Sequence, residues 1–232
     1  MASSPATKTG ASERVAGRCG RPPRELAGEV DERILEAARR IFLERGFEGA
    51  SVEEIAEAAR SGKPTIYARY PNKKALFAAA YTSALSAKNA RLASHTPAGT
   101  TIEERLANLG EAVVREVLTS EWIGLIRLAI AEARSFPDLG SSILKMARER
   151  GRETMTQLLC EVAHAEEPRT LPAFDAEHCA AAAQYFTDLI LLPVLLRALS
   201  GEDLEALKAG IGPSISQRVA FFLAACRHGG LE

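Results

Sequence analysis

The sequence predicts an all-α protein, a small three-helix unit near the N-terminus followed by a longer helical region, on three observations. Apolar residues recur at three- and four-residue steps along most of the chain, no stretch alternates as a strand would, and capping residues and Gly or Pro breakers separate the periodic segments. Composition agrees, because 47% hydrophobic and 25% charged residues in 232 suit one or two packed domains.

Residues 1–28 precede the periodic pattern and read as a disordered basic arm, lacking the apolar stretch of a secretory signal. From Glu29 to about Arg45 the positions Ile34, Ala37, Ala38, Ile41 and Phe42 mark one helix face, and Gly46 stops it. Ser51 followed by Glu54 is a capping pair that opens a short second helix at Val52, with Ile55, Ala56 and Ala59 on its inner face. Arg60, Ser61 and Gly62 interrupt the pattern. Helical spacing resumes over Lys63 to Tyr70, where Pro64 is tolerated in the first turn. Asn72 then caps a longer fourth helix that carries Leu76, Phe77, Ala80 and Ala84 to about Leu92.

Ser94 to Thr100 reads as a loop. Beyond it lie helices of about Ile102 to Leu118, Trp122 to Arg134, Leu139 to Ala163, Asp175 to Leu199, Leu204 to Ala209 and Pro213 to Arg227, with Pro193 expected to kink the fourth of these. The most apolar run, Cys179 to Leu199, is interrupted by Gln184, Asp188 and Arg197, so no membrane partner is expected. Cys19, Cys160, Cys179 and Cys226 lie far apart with no histidine at zinc spacing, which predicts free thiols in a reducing cytosol, and no metal or other cofactor. No catalytic motif stands out, and the four histidines are scattered, so an enzyme is not expected.

Charge divides the chain. Residues 1–92 hold sixteen Lys and Arg against eleven Asp and Glu, a surplus of +5, whereas residues 93–232 hold thirteen against nineteen, a deficit of −6. No acidic residue falls between Glu57 and Glu103, while Arg60, Lys63, Arg69, Lys73, Lys74, Lys88 and Arg91 all do, which suits a polyanion. A short capped helix, a tight turn and a short basic helix form a helix-turn-helix, whose second helix offers its N-terminal side chains to base edges in the major groove.

The stretch ILEAARRIFLERGFEGASVEEIAEAARSGKPTIYARYPNKKALF, from Ile34 to Phe77, resembles the DNA-binding domain of TetR-family regulators. The matching positions are Ser51, Val52, Ile55 and Ala56 in the second helix, Lys63, Thr65, Ile66 and Tyr67 in the third, then Tyr70 and Lys73. The turn departs from the family's Ala-Gly-Val-Ser: Arg60 stands where glycine commonly takes a left-handed conformation, and Gly62 replaces a serine cap, so a looser turn is expected. The resemblance implies that Ser51, Tyr67 and Lys73 hold phosphates while Lys63, Pro64, Thr65 and Arg69 face the groove. For Tyr67 a place in the core is the competing reading, and Lys74 reads as a solvated charge. Gly20-Arg21-Pro22-Pro23-Arg24 is either an arm drawn into the minor groove or a plain linker.

The segment GLIRLAIAEARSFPDLGSSIL is similar to the C-terminal domain of AefR-like TetR proteins, which implies a ligand-binding and dimerisation domain over residues 90–232 behind a DNA-binding domain over 29–89. Trp122, Ile126, Ile130, Phe136, Met155, Tyr185 and Leu189 are candidates to line a small-molecule pocket, with Arg127 and Asp188 as polar anchors. Core packing or solvation is the alternative for each. The last two long helices are apolar on more than one face and need a cover, either a second subunit or a large monomeric core. The expected protein is thus a cytoplasmic homodimeric repressor, released from a palindromic double-stranded DNA operator by a small apolar effector. The alternatives are a regulator of the same fold answering to a protein partner, and a helical small-molecule binder without DNA specificity.

Overall fold

The computed structural model describes residues 24–164, 172–175 and 177–227. Ten α-helices and one 3₁₀ turn account for the regular structure, with no strand among the described residues, so the fold is all-α as predicted. The helices are α1 (Arg24–Gly49), α2 (Val52–Ala58), α3 (Lys63–Arg69), α4 (Lys73–Ala93), α5 (Ile102–Val117), α6 (Ser120–Glu132), α7 (Pro137–His164), α8 (Cys179–Leu199), α9 (Leu204–Ala209) and α10 (Ile211–Arg227). The 3₁₀ turn is Pro172–Phe174.

Side-chain caps set the starts of five helices. Ser51 and Glu54 form the reciprocal box at α2, Asn72 accepts from Ala75 N–H at α4, Thr101 and Glu104 box α5, Thr119 caps α6 and Asp203 caps α9. Gly46, at φ 75° and ψ 173°, breaks α1 before its end and turns Phe47 back onto Phe42 and Phe77, with ring centroids 5.8 and 5.5 Å away. The expected start of α1 at Glu29 is corrected to Arg24, so part of the predicted arm is helical; residues 1–23 of that arm lie outside the described residues. The expected start of α8 at Asp175 is corrected to Cys179, because the Asp175 carboxylate accepts from Glu177 N–H, His178 N–H and the His178 ring and closes a turn of its own.

Two hydrophobic clusters form the core. The first gathers Ile34, Ala38, Phe42, Ile55, Ile66, Phe77 and Tyr81 from α1–α4 and extends into Trp122, Leu125 and Ala129 of α6. The second joins α5, α7, α8 and α10 through Leu106, Leu109, Leu159, Phe186, Ile190 and Phe222. Helix α4 belongs to both, since Tyr81 and Leu85 sit in the first and Leu92 in the second. By length and composition α8 is long and apolar enough to cross a membrane; here Ala182, Ala183, Phe186, Ile190 and Val194 are buried in the second cluster.

The expectation of free thiols fails at two positions. Cys160 of α7 and Cys179 of α8 are disulfide-bonded, their Cα atoms 6.5 Å apart, whereas Cys226 is a free, buried thiol. The two helices meet side by side, which brings together cysteines that the sequence separates by 19 residues.

Candidate nucleic-acid interface

The turn before α3 is built from the end of α2. Ser61 N–H donates to Ala56 O at 2.9 Å and Arg60 N–H to Glu57 O at 3.0 Å, the paired bonds of a Schellman closure, and Arg60 takes the left-handed conformation itself at φ 50°. The looser turn expected from Arg60 is therefore corrected: both closing bonds form, and the cost is borne by one residue's backbone, about 1 kcal/mol. Gly62 starts α3 without a side-chain cap, as its missing hydroxyl requires.

Ile66 is buried and anchors α3 to the first core cluster. That leaves Lys63, Pro64, Tyr67 and Ala68 exposed, with Thr65 and Arg69 half-buried. Tyr67 is 47% exposed, so the core reading of this ring does not hold. Lys63 pairs with Glu53 of α2, and this contact holds the Glu53 carboxyl below its usual range. Arg69 Nε lies 3.3 Å from Asp31 of α1, and Tyr70 donates to the same carboxylate at 2.7 Å. Burial and the Asp31 contact raise the Tyr70 phenol well above its ordinary value, so it stays a neutral donor that pins the end of α3 to α1.

Two further predicted contacts flank α3. Ser51, at the start of α2, uses its hydroxyl in the helix cap, accepting from Glu54 N–H at 3.1 Å. Lys73, at the start of α4, donates to Glu48 O and Ala50 O at 3.2 and 3.1 Å and sits 4.7 Å from the Phe47 ring centre. Its ammonium therefore ties α4 to the link between α1 and α2. Sequence spacing gave no sign of this, nor of the Lys74 ammonium lying 3.6 Å from the Phe136 ring centre, although Lys74 stays exposed, as a solvated charge would be.

The nine residues expected to line an effector pocket do not converge. Trp122 and Ile126 are buried in the first core cluster and Met155 in the second, and Phe136 stacks edge-on against Phe47 with centroids 5.5 Å apart. Arg127 donates to Ala198 O and Leu199 O and so closes the C-terminal end of α8. Asp188 accepts from Gln184 on its own helix, Leu189 packs at the edge of the second cluster, and Ile130 and Tyr185 are exposed.

Comparison with known proteins covers both halves of the chain. The profile of bacterial regulatory proteins, tetR family, matches residues 34–80, and that of the AefR-like transcriptional repressor C-terminal domain matches residues 104–227. An HTH-type transcriptional regulator of Mycobacterium tuberculosis is 28% identical over 130 residues, which is 56% of this chain and only 60% of the relative. The HTH-type transcriptional repressor ComR of Escherichia coli is 28% identical over 189 residues, 78% of this chain and 85% of its own. A solved structure described as a TetR-family transcriptional regulator from Mesorhizobium loti shares the fold, with a TM-score of 0.71 at 24% identity, covering 86% of this chain and 97% of that one. Matched through its helix-turn-helix and through its C-terminal helices, the chain belongs to the tetR family of bacterial regulatory proteins.

Proposed function

We propose that this regulator is a cytoplasmic homodimeric repressor that holds a palindromic operator and releases it when a small molecule occupies its C-terminal half. The outward face of α3 carries the reading. Tyr67 stands exposed on a helix whose Ile66 is locked into the core, beside Lys63 and Pro64, in a stretch without a single acidic residue. In this reading Lys63, Pro64, Thr65 and Arg69 meet base edges, and Tyr67, Ser51 and Lys73 meet phosphates. The domain division runs at residue 89, inside α4, and the boundary at residue 28 falls inside α1.

A second subunit would cover what the single chain leaves open. Tyr185, Leu192 and Leu196 project from α8 and Phe221 from α10, and they are 46–68% exposed. Large apolar side chains clustered on two neighbouring helices suit a two-fold four-helix interface, which would set two α3 helices about one DNA turn, ~34 Å, apart. Selection of genomic fragments on purified protein, followed by sizing of the complex, tests the reading. The expected outcome is a two-fold symmetric sequence bound by two chains; retention of random fragments, or a complex holding one chain, overturns it.

A further inference from the structure

Lys88 is a charged side chain buried without a counter-ion. It leaves α4 between the two core clusters and is 7% exposed. No hydrogen-bond acceptor or ion-pair partner among the described residues reaches its ammonium, which lies 4.2 Å from the centre of the Trp122 ring. The carboxylates nearby are claimed by others: Glu116 of α5 accepts from Arg91 at 3.0 Å, and Glu121 of α6 pairs with Arg39 of α1 at 3.1 Å. Glu116 attracts Lys88 electrostatically from beyond ion-pair distance. An ammonium taken out of water and given only a ring face is under-compensated, because cation–π attraction replaces just part of its lost hydration.

The ammonium is not sealed in. Lys88 lines a cavity of about 90 Å³ walled by Arg39, Arg91, Glu116, Thr119, Glu121 and Trp122. Arg91 and Glu116 also line a neighbouring groove of about 300 Å³ that runs between α4 and α5 past His95, Asn108 and Arg115. The cavity wall holds three cations against two anions, so its surplus is a single positive charge, and that charge is Lys88.

We propose that this cavity is a binding site for a small organic carboxylate, whose anionic group pairs with Lys88 over the face of Trp122 while the rest of the molecule extends into the groove. A monoanion neutralises the surplus. A dianionic phosphate would meet the fixed carboxylates of Glu116 and Glu121 at close range, which disfavours it. The site also touches the supports of the DNA-reading unit, because the Arg39–Glu121 pair ties α1 to α6 and the Arg91–Glu116 pair ties α4 to α5. A bound carboxylate competes for both arginines and so biases the placement of α1 and α4, the differential contact that coupling to DNA requires.

Trp122 is the one tryptophan of the chain, so its fluorescence reports on this cavity directly. The full-length protein is titrated with sodium propionate and sodium benzoate, with sodium chloride and sodium phosphate at matched ionic strength as comparison. A saturable change with at least one carboxylate is expected, weakened at least tenfold in Lys88→Met, which keeps an apolar stem against Trp122. Glu116→Gln removes a repelling charge and is expected to tighten binding severalfold, an arm that does not depend on the Lys88 variant folding. No saturable change with either carboxylate, an equal response to chloride or phosphate, an unaltered curve in folded Lys88→Met, or an unaltered curve in Glu116→Gln overturns the site. No DNA is present in this titration, so its failure is separate from failure of the proposed operator binding.

Discussion

Arg60 and Lys88 show how single residues carry both the legible and the illegible parts of this chain. The left-handed backbone at Arg60 is what the resemblance implied: Arg60 stands where the turn of TetR-family regulators commonly carries a glycine, and it takes φ 50° between α2 and α3. Arg60→Gly should therefore stabilise the protein by about 1 kcal/mol in urea unfolding, since glycine takes this conformation without a Cβ clash. Lys88 gave no such sign, because a lysine on a helix reads as solvated until the neighbouring helices are in place. Burial pushes its pKa down from 10.5 to about 8, with Glu116 opposing that shift, Arg91 adding to it, and Arg39 and Glu121 facing the same cavity. Between pH 8 and 10.5 the unfolded chain holds the proton that the folded chain has lost, so this residue's contribution to stability rises with pH through that window. Below pH 8 the burial penalty is present in full. Lys88→Met should then raise the melting temperature at pH 7, by a free energy on the order of 1–3 kcal/mol, and the gap from wild type should narrow as pH approaches 10. An equal gap at pH 7 and pH 10 would rule out the burial penalty as its source.

At the scale of elements, caps made the boundaries readable and packing made the glycines necessary. Ser51 with Glu54, Asn72 and Asp203 each stand where a helix begins, so the starts of α2, α4 and α9 follow from local hydrogen bonding. The segment that resembles AefR-like proteins contains Gly140, and only the fold supplies its reason. A Cβ there would lie 2.7 Å from Ala133 Cβ and 2.8 Å from Ala133 Cα, where α7 turns back against the end of α6. Because backbone rather than a flexible side chain blocks the space, Gly140→Ala should destabilise the protein by about 2 kcal/mol, measured by thermal or denaturant unfolding. Stability equal to wild type would show that α6 and α7 are less closely apposed. The Cys160–Cys179 pair and the Lys73 tether were illegible for a related reason: both join segments whose proximity is set by helix packing, with no signature in local spacing.

For the whole molecule, the candidate DNA face was legible and the candidate effector pocket was not. DNA contacts of a helix-turn-helix fall at fixed steps along one short helix, so naming the helix names the exposed Lys63, Pro64 and Tyr67. A pocket among helices has no such register: Trp122 lines the Lys88 cavity, while Phe136, Arg127 and Tyr185 were scattered by the fold into inter-helix stacking, helix capping and solvent. The exposed apolar face of α8 and α10 belongs to this scale as well. Leu196→Glu combined with Phe221→Glu should convert a dimer into monomers in light scattering while leaving the helical circular dichroism unchanged, because both side chains are more than 60% exposed in the single chain. A dimer that survives both charges would place the subunit contact elsewhere.

Sequence-specific reading by α3 is best examined by titrating wild-type protein and Tyr67→Ala, at one fixed salt concentration, against the selected operator and a scrambled duplex of equal length. Wild type should prefer the operator by about 1,000-fold or more, and Tyr67→Ala should lose at least about tenfold on the operator while the dimer persists. Equal affinity of wild type for both duplexes, or a Tyr67→Ala curve that overlays wild type on the operator, would contradict it.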